Sequence, residues 1–160
     1  MRLTILSVGR LKRGPEHDLF QHYVERAAGA GQALSVGPLK AVEVAQSRKA
    51  SVAERRQQEA SLLLAKLDKS VQLVALEENG KGLTSAELAA LIGKWREAGI
   101  GEIAFALGGP DGLDAEVGNR AAMRLALGPL TLPHGLARIV IAEQIYRALT
   151  ILAGHPYHRA

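Results

Sequence analysis

Cysteine is absent from the 160-residue chain. Its absence excludes disulfide bonds, thiolate nucleophiles, and zinc or iron-sulfur sites with cysteine ligands. No apolar run approaches the roughly 20 residues that cross a bilayer. The seven residues between Arg2 and Arg10 are too few for the apolar core of a signal peptide. We therefore expect a cytoplasmic protein that does not contact a membrane.

Internal repeats, linkers and low-complexity segments are also absent from the sequence. The hydrophobic fraction of 48% and the charged fraction of 22% are those of ordinary globular proteins, which excludes disordered and fibrous classes. A chain of this length is large enough to bury a core of its own. We expect one domain that spans residues 1–160.

Positive charge is concentrated in the first half of the chain. Residues 1–70 hold 12 Lys and Arg against 7 Asp and Glu, whereas residues 71–160 hold 8 against 9. The basic clusters are Arg10, Lys12 and Arg13, and then Arg48, Lys49, Arg55 and Arg56. Such clusters suit a polyanionic partner. Charge alone is equally compatible with a solvated surface that keeps the protein soluble.

Short apolar runs alternate with longer segments of helical periodicity. The predicted strands are residues 3–8, a strand within 33–44, then 71–76, 102–108 and a short strand within 124–132. The predicted helices are residues 15–30, 51–67, 84–99, 114–123 and 133–154. Ser51 with Glu54, and Thr84 with Glu87, have the spacing of capping boxes. The alternation predicts an α/β fold with a mostly parallel sheet and helices on both faces.

The last predicted helix is apolar around most of its circumference. Such a helix must be covered on more than one side, either as a central element of the fold or by a partner subunit. Two of its few polar residues, Glu143 and Arg147, are four positions apart and are expected to pair.

Two loops have the composition of ligand sites. Gly108 and Gly109 follow a predicted strand, where a ligand can lie against the backbone, but Pro110 breaks the dinucleotide-binding spacing and no P-loop lysine follows. Residues 127–134 place two prolines and a glycine among apolar residues, which suits an adenine or a thioether. A tight turn and a rigid strand-to-helix connection are the structural alternatives.

The C-terminal segment concentrates side chains with acid-base chemistry. His155 and His158 are three residues apart, but no Asp, Glu or Cys in the tail completes a metal site, so we expect no bound metal. Histidine, tyrosine and arginine in this segment suit acid-base catalysis or contact with RNA. The alternative is a disordered end, although Gly154 and Pro156 favour a defined turn.

The segments GGPDG, LTLPH, EQIYRA and HPYHR, in this order and spacing, resemble the RlmH family of SPOUT-class RNA methyltransferases. The resemblance implies S-adenosylmethionine-dependent methylation of N3 of a pseudouridine, at position 1915 of 23S ribosomal RNA, in the assembled ribosome. It also implies a C-terminal trefoil knot and a homodimer. A SPOUT methyltransferase of transfer RNA and a ribosome-binding module without activity are the alternatives.

The resemblance assigns two groups of residues. The cofactor site is expected at Leu76, Glu77, Gly108, Gly109, Leu127, Gly128, Pro129, Leu130, Thr131, Leu132 and Pro133. The catalytic group is expected to be Tyr157, His158 and Arg159, supported by Glu143 and Arg147. Position 128 is more often serine in the family, and Pro129 has no N–H to donate. The expected ribosome contacts are Arg10, Lys12, Arg13, Arg48 and Lys49.

Overall fold

Strands and helices alternate along residues 1–159, the part of the chain that the structure, a computed structural model, describes. The end of the predicted domain, Ala160, lies outside the described residues. In chain order the elements are β1 (Arg2–Val8), α1 (Pro15–Gln32), β2 (Leu39–Val44), α2 (Val52–Leu64), β3 (Gln72–Gly82), α3 (Ser85–Glu97), β4 (Glu102–Leu107), α4 (Ala115–Arg120), β5 (Met123–Ala126) and α5 (His134–Leu152).

The five strands form one sheet in the order β2-β1-β4-β3-β5, and every paired neighbour is parallel. The prediction of a mostly parallel α/β sheet is confirmed. Because all strands run the same way, the loops that follow Val8, Val44, Leu107 and Ala126 emerge on one side. The irregular part of β3 that follows Leu76 emerges on the same side. We call this side the carboxyl edge. Ligands of open α/β sheets bind at such an edge.

Helices cover both faces of the sheet. One apolar cluster joins the sheet to α1, α3 and α5, and a second joins its other face to α2 and α4. Neighbouring residues of β4 show the alternation, because Phe105 belongs to the first cluster and Ala104 and Ala106 to the second.

Helix α5 packs against both α1 and α3, and Ile141, Ile145 and Leu149 are fully or almost fully buried. The apolar circumference seen in the sequence is therefore covered within one chain, as for a central element. Both predicted capping boxes are present, at Ser51 with Glu54 and at Thr84 with Glu87.

Three predicted element ends differ from the structure by three residues or more, and the first is that of α2, which ends at Leu64 and not at residue 67. Strand β3 continues to Gly82 because its register shifts after Leu76, so that Leu125 of β5 pairs first with Leu76 and then with Lys81. Gly80 permits this return, since a Cβ there would lie 2.5 Å from the carbonyl carbon of Leu125. Helix α4 ends at Arg120, earlier than predicted, because the chain must turn to enter β5. Among the described residues, no helix combines the length and apolarity needed to span a membrane.

Candidate active site

The residues predicted to hold a cofactor converge at the carboxyl edge. Leu76 lies where the first register of β3 ends, Gly108 follows β4, and Leu127 follows β5. Since β4, β3 and β5 are adjacent in the sheet, the loops that leave them are neighbours. The fold thus brings together three segments that are far apart in the sequence.

The glycine-rich loop after β4 is a tight turn. The N–H of Gly112 donates to the carbonyl of Gly109 at 2.9 Å, and Gly112 has a φ of 82°, which favours glycine. A Cβ on Gly108 would lie 2.5 Å from the carbonyl carbon of Gly112. The segment is therefore a tight turn in which Gly112, rather than Gly108 or Gly109, has the positive φ, and contact with a ligand stays a prediction.

Two arginines of α2 fix this turn from the side. The Arg55 guanidinium donates to both carboxylate oxygens of Asp111, at 2.7 and 3.2 Å, and Arg56 donates to the backbone carbonyl of Asp111. The hydrogen bond from Arg55 holds the pKa of Asp111 below its ordinary value. Sequence reasoning placed both arginines in a cluster for a polyanion, but the structure commits them to the turn.

A buried acid lies beneath the same turn. Glu59 is 3% exposed, and its Oε1 accepts a hydrogen bond from the Ser47 N–H at 2.9 Å. Its Oε2 has no hydrogen-bond partner among the described residues and lies against Gly109, where a Cβ would approach it to 3.2 Å. Sequence reasoning missed Glu59 because its charge is typical of an exposed helix face.

The loop between β5 and α5, residues 127–133, lies at the surface. Leu130 is 77% exposed, and Gly128 adopts a φ of 135° with open space around it. A single exposed apolar side chain is common at protein surfaces, so contact of this loop with a ligand stays a prediction. On the neighbouring strand, Glu77 faces Arg124 at 3.7 Å, and Arg124 also donates to the carbonyl of Gly118.

A buried arginine anchors the start of α5 to the ends of β1 and β2. Arg138 is 1% exposed; its guanidinium donates to the carbonyls of Val8 and Gly9 and to the Glu43 carboxylate, each at 2.7 Å. It also contacts Nε2 of His134 at 3.1 Å. Burial, and then the nearby positive charge, lower the pKa of His134. His134 therefore accepts a hydrogen bond as a neutral imidazole at the end of the exposed loop.

The C-terminal tail folds back onto α5. The hydroxyl of Tyr157 donates to Glu143 at 3.1 Å, and the same carboxylate oxygen accepts from Arg147 at 2.9 Å, so the predicted pair of Glu143 and Arg147 is present. The ring of Tyr157 packs on that of Tyr146 with centroids 4.6 Å apart. Arg26 of α1, which sequence reasoning missed, lies over both rings.

The side chains of the tail differ in exposure. Burial, followed by hydrogen bonding with Tyr23, raises the pKa of Tyr157 to about 12. His158 is half-buried, and its Nδ1 has no hydrogen-bond partner within residues 1–159. Arg159 is exposed. Within the same residues, no group of three or more His, Asp or Glu side chains is arranged to hold a metal ion.

Among the described residues, no hydrogen bond or ion pair joins the two predicted groups. Glu143 is ten residues beyond Pro133 along α5, which corresponds to about 15 Å at the rise of an α-helix. The structure gathers Glu143, Arg147 and Tyr157 around one carboxylate, on the part of α5 beyond its start at the exposed loop.

Comparison with known proteins covers almost the whole chain. The family described as "Predicted SPOUT methyltransferase" matches residues 1–158. A protein of Rhizobium leguminosarum bv. trifolii (strain WSM2304) is 47% identical over 159 residues, which are 99% of each chain. A protein of Sinorhizobium fredii (strain NBRC 101917 / NGR234) is 48% identical over 160 residues, the full length of both. Each relative is named ribosomal RNA large subunit methyltransferase H.

Proposed function

The chain belongs to the SPOUT methyltransferase family, and from this premise we propose that it methylates 23S ribosomal RNA of the assembled ribosome. In this proposal the methylated atom is N3 of a pseudouridine, and the methyl donor is S-adenosylmethionine. The observation that carries the proposal is the full-length identity of nearly one half to methyltransferases of large-subunit ribosomal RNA. The convergence of the GGPDG and LTLPH loops at the carboxyl edge supports it. Such a substrate places the enzyme in the cytoplasm.

The residues at this edge fit S-adenosylmethionine. Gly108 and Gly109 pack closely against the turn and Glu59 and so fix the shape of this edge, Leu130 offers an exposed apolar surface, and the free oxygen of Glu59 lies behind Gly109. When bound, the sulfonium cofactor supplies an already activated methyl group. The chain must then position the cofactor, exclude water and align the base. Residues 127–133 are suited to positioning because Arg138 fixes the helix that follows them.

The tail would orient the pseudouridine. Arg159 is exposed and suits a phosphate, whereas Tyr157 keeps its proton at neutral pH because its pKa is about 12. Tyr157 therefore acts as a hydrogen-bond donor, here to Glu143, and not as the base that removes the N3 proton. Among the three tail residues, His158 is the one with the chemistry of a general base. Glu143 and Arg147 hold Tyr157 in place.

The separation of about 15 Å along α5 between the two groups supports a homodimer in which each tail serves the partner's cofactor site. Residues 1–160 then act as one domain. We retain the family's trefoil knot, in which α5 passes through a preceding loop, as part of the proposal. Gly128 and Pro129 remain compatible with a cofactor held by backbone contacts, although the hydroxyl contact of a serine at position 128 is lost.

The first experiment follows labelled methyl from S-adenosylmethionine to intact ribosomes, isolated large subunits and bulk transfer RNA, with mass spectrometry to locate the product. We expect methylpseudouridine in 23S RNA of intact ribosomes. Methylation of transfer RNA would indicate a different SPOUT substrate. Binding of the cofactor without transfer to any RNA would indicate a ribosome-binding module.

A second experiment removes residues 156–160. We expect methyl transfer to be lost while cofactor binding, measured by calorimetry, and the dimer, measured by light scattering, are retained. Full activity of the truncated chain would contradict the role given to the tail.

A further inference from the structure

A groove of about 630 Å³ opens beside the ends of β1 and β2 and is separate from the loops assigned to the cofactor. Its rim carries Arg10, Lys12 and Arg13, and its lining includes the apolar side chains of Leu11 and Phe20. The volume lies within the range typical of small-ligand sites. The other basic segment, with Arg48 and Lys49, lines a different and smaller cavity of about 320 Å³.

The groove has a positive field that is not neutralised by its own acidic lining. Among the described residues, no carboxylate lies within 4 Å of the cationic groups of Arg10, Lys12 or Arg13. The acid that lines the groove, Glu43, is already engaged by Arg138 at 2.7 Å and by the Leu11 N–H at 2.8 Å. The three cations are therefore free to pair with an external anion.

A chain of contacts connects this groove to the candidate active site. The Leu11 N–H and the Arg138 guanidinium share Oε1 of Glu43, and Arg138 contacts His134, which directly follows the cofactor loop. Arg138 also holds the carbonyls of Val8 and Gly9, from which the rim segment emerges. The groove and the loop before α5 are thus joined by one partly buried network of hydrogen bonds at the carboxyl edge.

We infer that the groove is a subsite for a nucleotide of the RNA strand close to the nucleotide that is methylated. This inference rests on the proposed function. The cations of the rim suit the phosphate, and an arginine plane with the apolar lining suits the base, a combination typical of sites for single-stranded RNA. A site for free phosphate would not need the apolar lining or this volume.

The direct test uses a fluorescent pentamer of uridylate that carries one 4-thiouridine, with the full chain and three charge-reversed variants. Lys12→Glu and Arg13→Glu change the rim, while Lys69→Glu makes the same charge change at the exposed turn that precedes β3, at the opposite edge. We expect each rim variant to weaken binding at least tenfold and Lys69→Glu to change it less than twofold. The salt dependence should also flatten for the rim variants, because a phosphate contact is lost.

Ultraviolet cross-linking with the same pentamer identifies the site. We expect cross-links within residues 10–21 of the wild-type chain. Equal weakening by Lys69→Glu and Arg13→Glu would show a mere effect of net charge and would overturn the inference, as would cross-links confined to other segments.

Methylation kinetics separate this inference from the proposed function. If both hold, Arg13→Glu raises KM for ribosomes at least tenfold with little change in kcat or in the affinity for S-adenosylmethionine. If ribosomes are methylated but Arg13→Glu behaves like Lys69→Glu, the subsite is overturned and the proposed function stands. If the pentamer cross-links to the groove but no RNA is methylated, the proposed function fails and the groove remains an RNA site.

Discussion

At the scale of single residues, Arg138 shows why sequence reasoning missed part of the site. In the sequence it is one polar residue of an apolar helix, and nothing nearby marks it as buried. Its partners are the carbonyls of Val8 and Gly9 and the carboxylate of Glu43, which are about 95 to 130 positions away. A buried guanidinium is tolerated because these acceptors replace water. Only the folded chain brings donor and acceptors together.

Gly108 is predicted to be sensitive to the smallest substitution. In Gly108→Ala the new Cβ would meet the backbone of Gly112, so the turn must move, which we expect to cost about 1–3 kcal/mol of unfolding free energy. Calorimetry should show at least a tenfold loss of affinity for S-adenosylmethionine. Gly101→Ala is the matched control, since its Cβ meets nothing within 4 Å. Wild-type affinity in Gly108→Ala would mean that the turn does not shape the cofactor site.

Tyr157 is predicted to lose its proton only at strongly alkaline pH. Its pKa is raised to about 12 because burial and the nearby Glu143 carboxylate disfavour the phenolate. The unfolded chain releases this proton from about pH 10 upward, so the free energy of unfolding should fall between about pH 10 and pH 12. Absorbance at alkaline pH measures the titration. Tyr157→Phe should remove the component near pH 12, and its persistence in that variant would contradict the assignment.

At the scale of elements, local signals predicted most of the fold. The capping boxes at Ser51 and Thr84 were predicted because their partners are three residues away. The extension of β3 to Gly82 was missed because it depends on a second pairing with β5, more than 40 positions later. The loops of the candidate site could be predicted from glycine, proline and motif spacing. The contribution of α2 to the turn could not, because Arg55 and Asp111 are 56 positions apart.

The ion pair between α2 and the GGPDG turn is predicted to contribute more to cofactor affinity than to the global stability of the fold. Arg55→Met removes the bidentate contact with Asp111, whose partners are partly exposed, so global stability should change little. Amide exchange in residues 108–113 should become faster, and the affinity for S-adenosylmethionine should fall about three- to tenfold, because the turn is no longer held before the ligand binds.

Arg2→Met is the matched control for Arg55→Met, since it breaks an ion pair, that of Arg2 with Glu102, at the opposite edge of the sheet. We expect that variant to leave both amide exchange of the turn and cofactor affinity unchanged. Equal effects of the two substitutions would show that the loss is general and not specific to the turn.

At the scale of the whole molecule, the position of α5 bears on how the loops of the carboxyl edge and the tail could form the proposed site. Its first turn is fixed at the carboxyl edge by Arg138, and its middle carries Glu143 and Arg147 with the tail folded over them. The exposed loop that precedes α5 and the tail that folds over Glu143 are thus about ten residues apart along this helix. In a two-fold symmetric dimer both combinations of one chain's tail with the partner's loops are equivalent, which gives two sites.

Mixing defective chains tests this assembly. One chain carries Gly108→Ala, and the other lacks residues 156–160; each is expected to be almost inactive alone when the concentration of S-adenosylmethionine is limiting. If the tail acts on the partner, a mixed dimer contains one complete site, so random pairing should restore about a quarter of wild-type methylation. If the tail acts within its own chain, no complete site forms and activity stays absent.

A chain that carries both defects, mixed with wild-type chains, gives the complementary measurement. When the tail acts on the partner, a mixed dimer has no complete site, and only the wild-type dimers contribute, about a quarter of full activity. When the tail acts within its own chain, every wild-type chain remains active and about half is retained. A tail that acts on the partner gives the higher activity in the first mixture and the lower activity in the second. A difference in chain concentration cannot imitate this reversal. Restoration in the first mixture together with the stronger loss in the second would establish that two chains build each site.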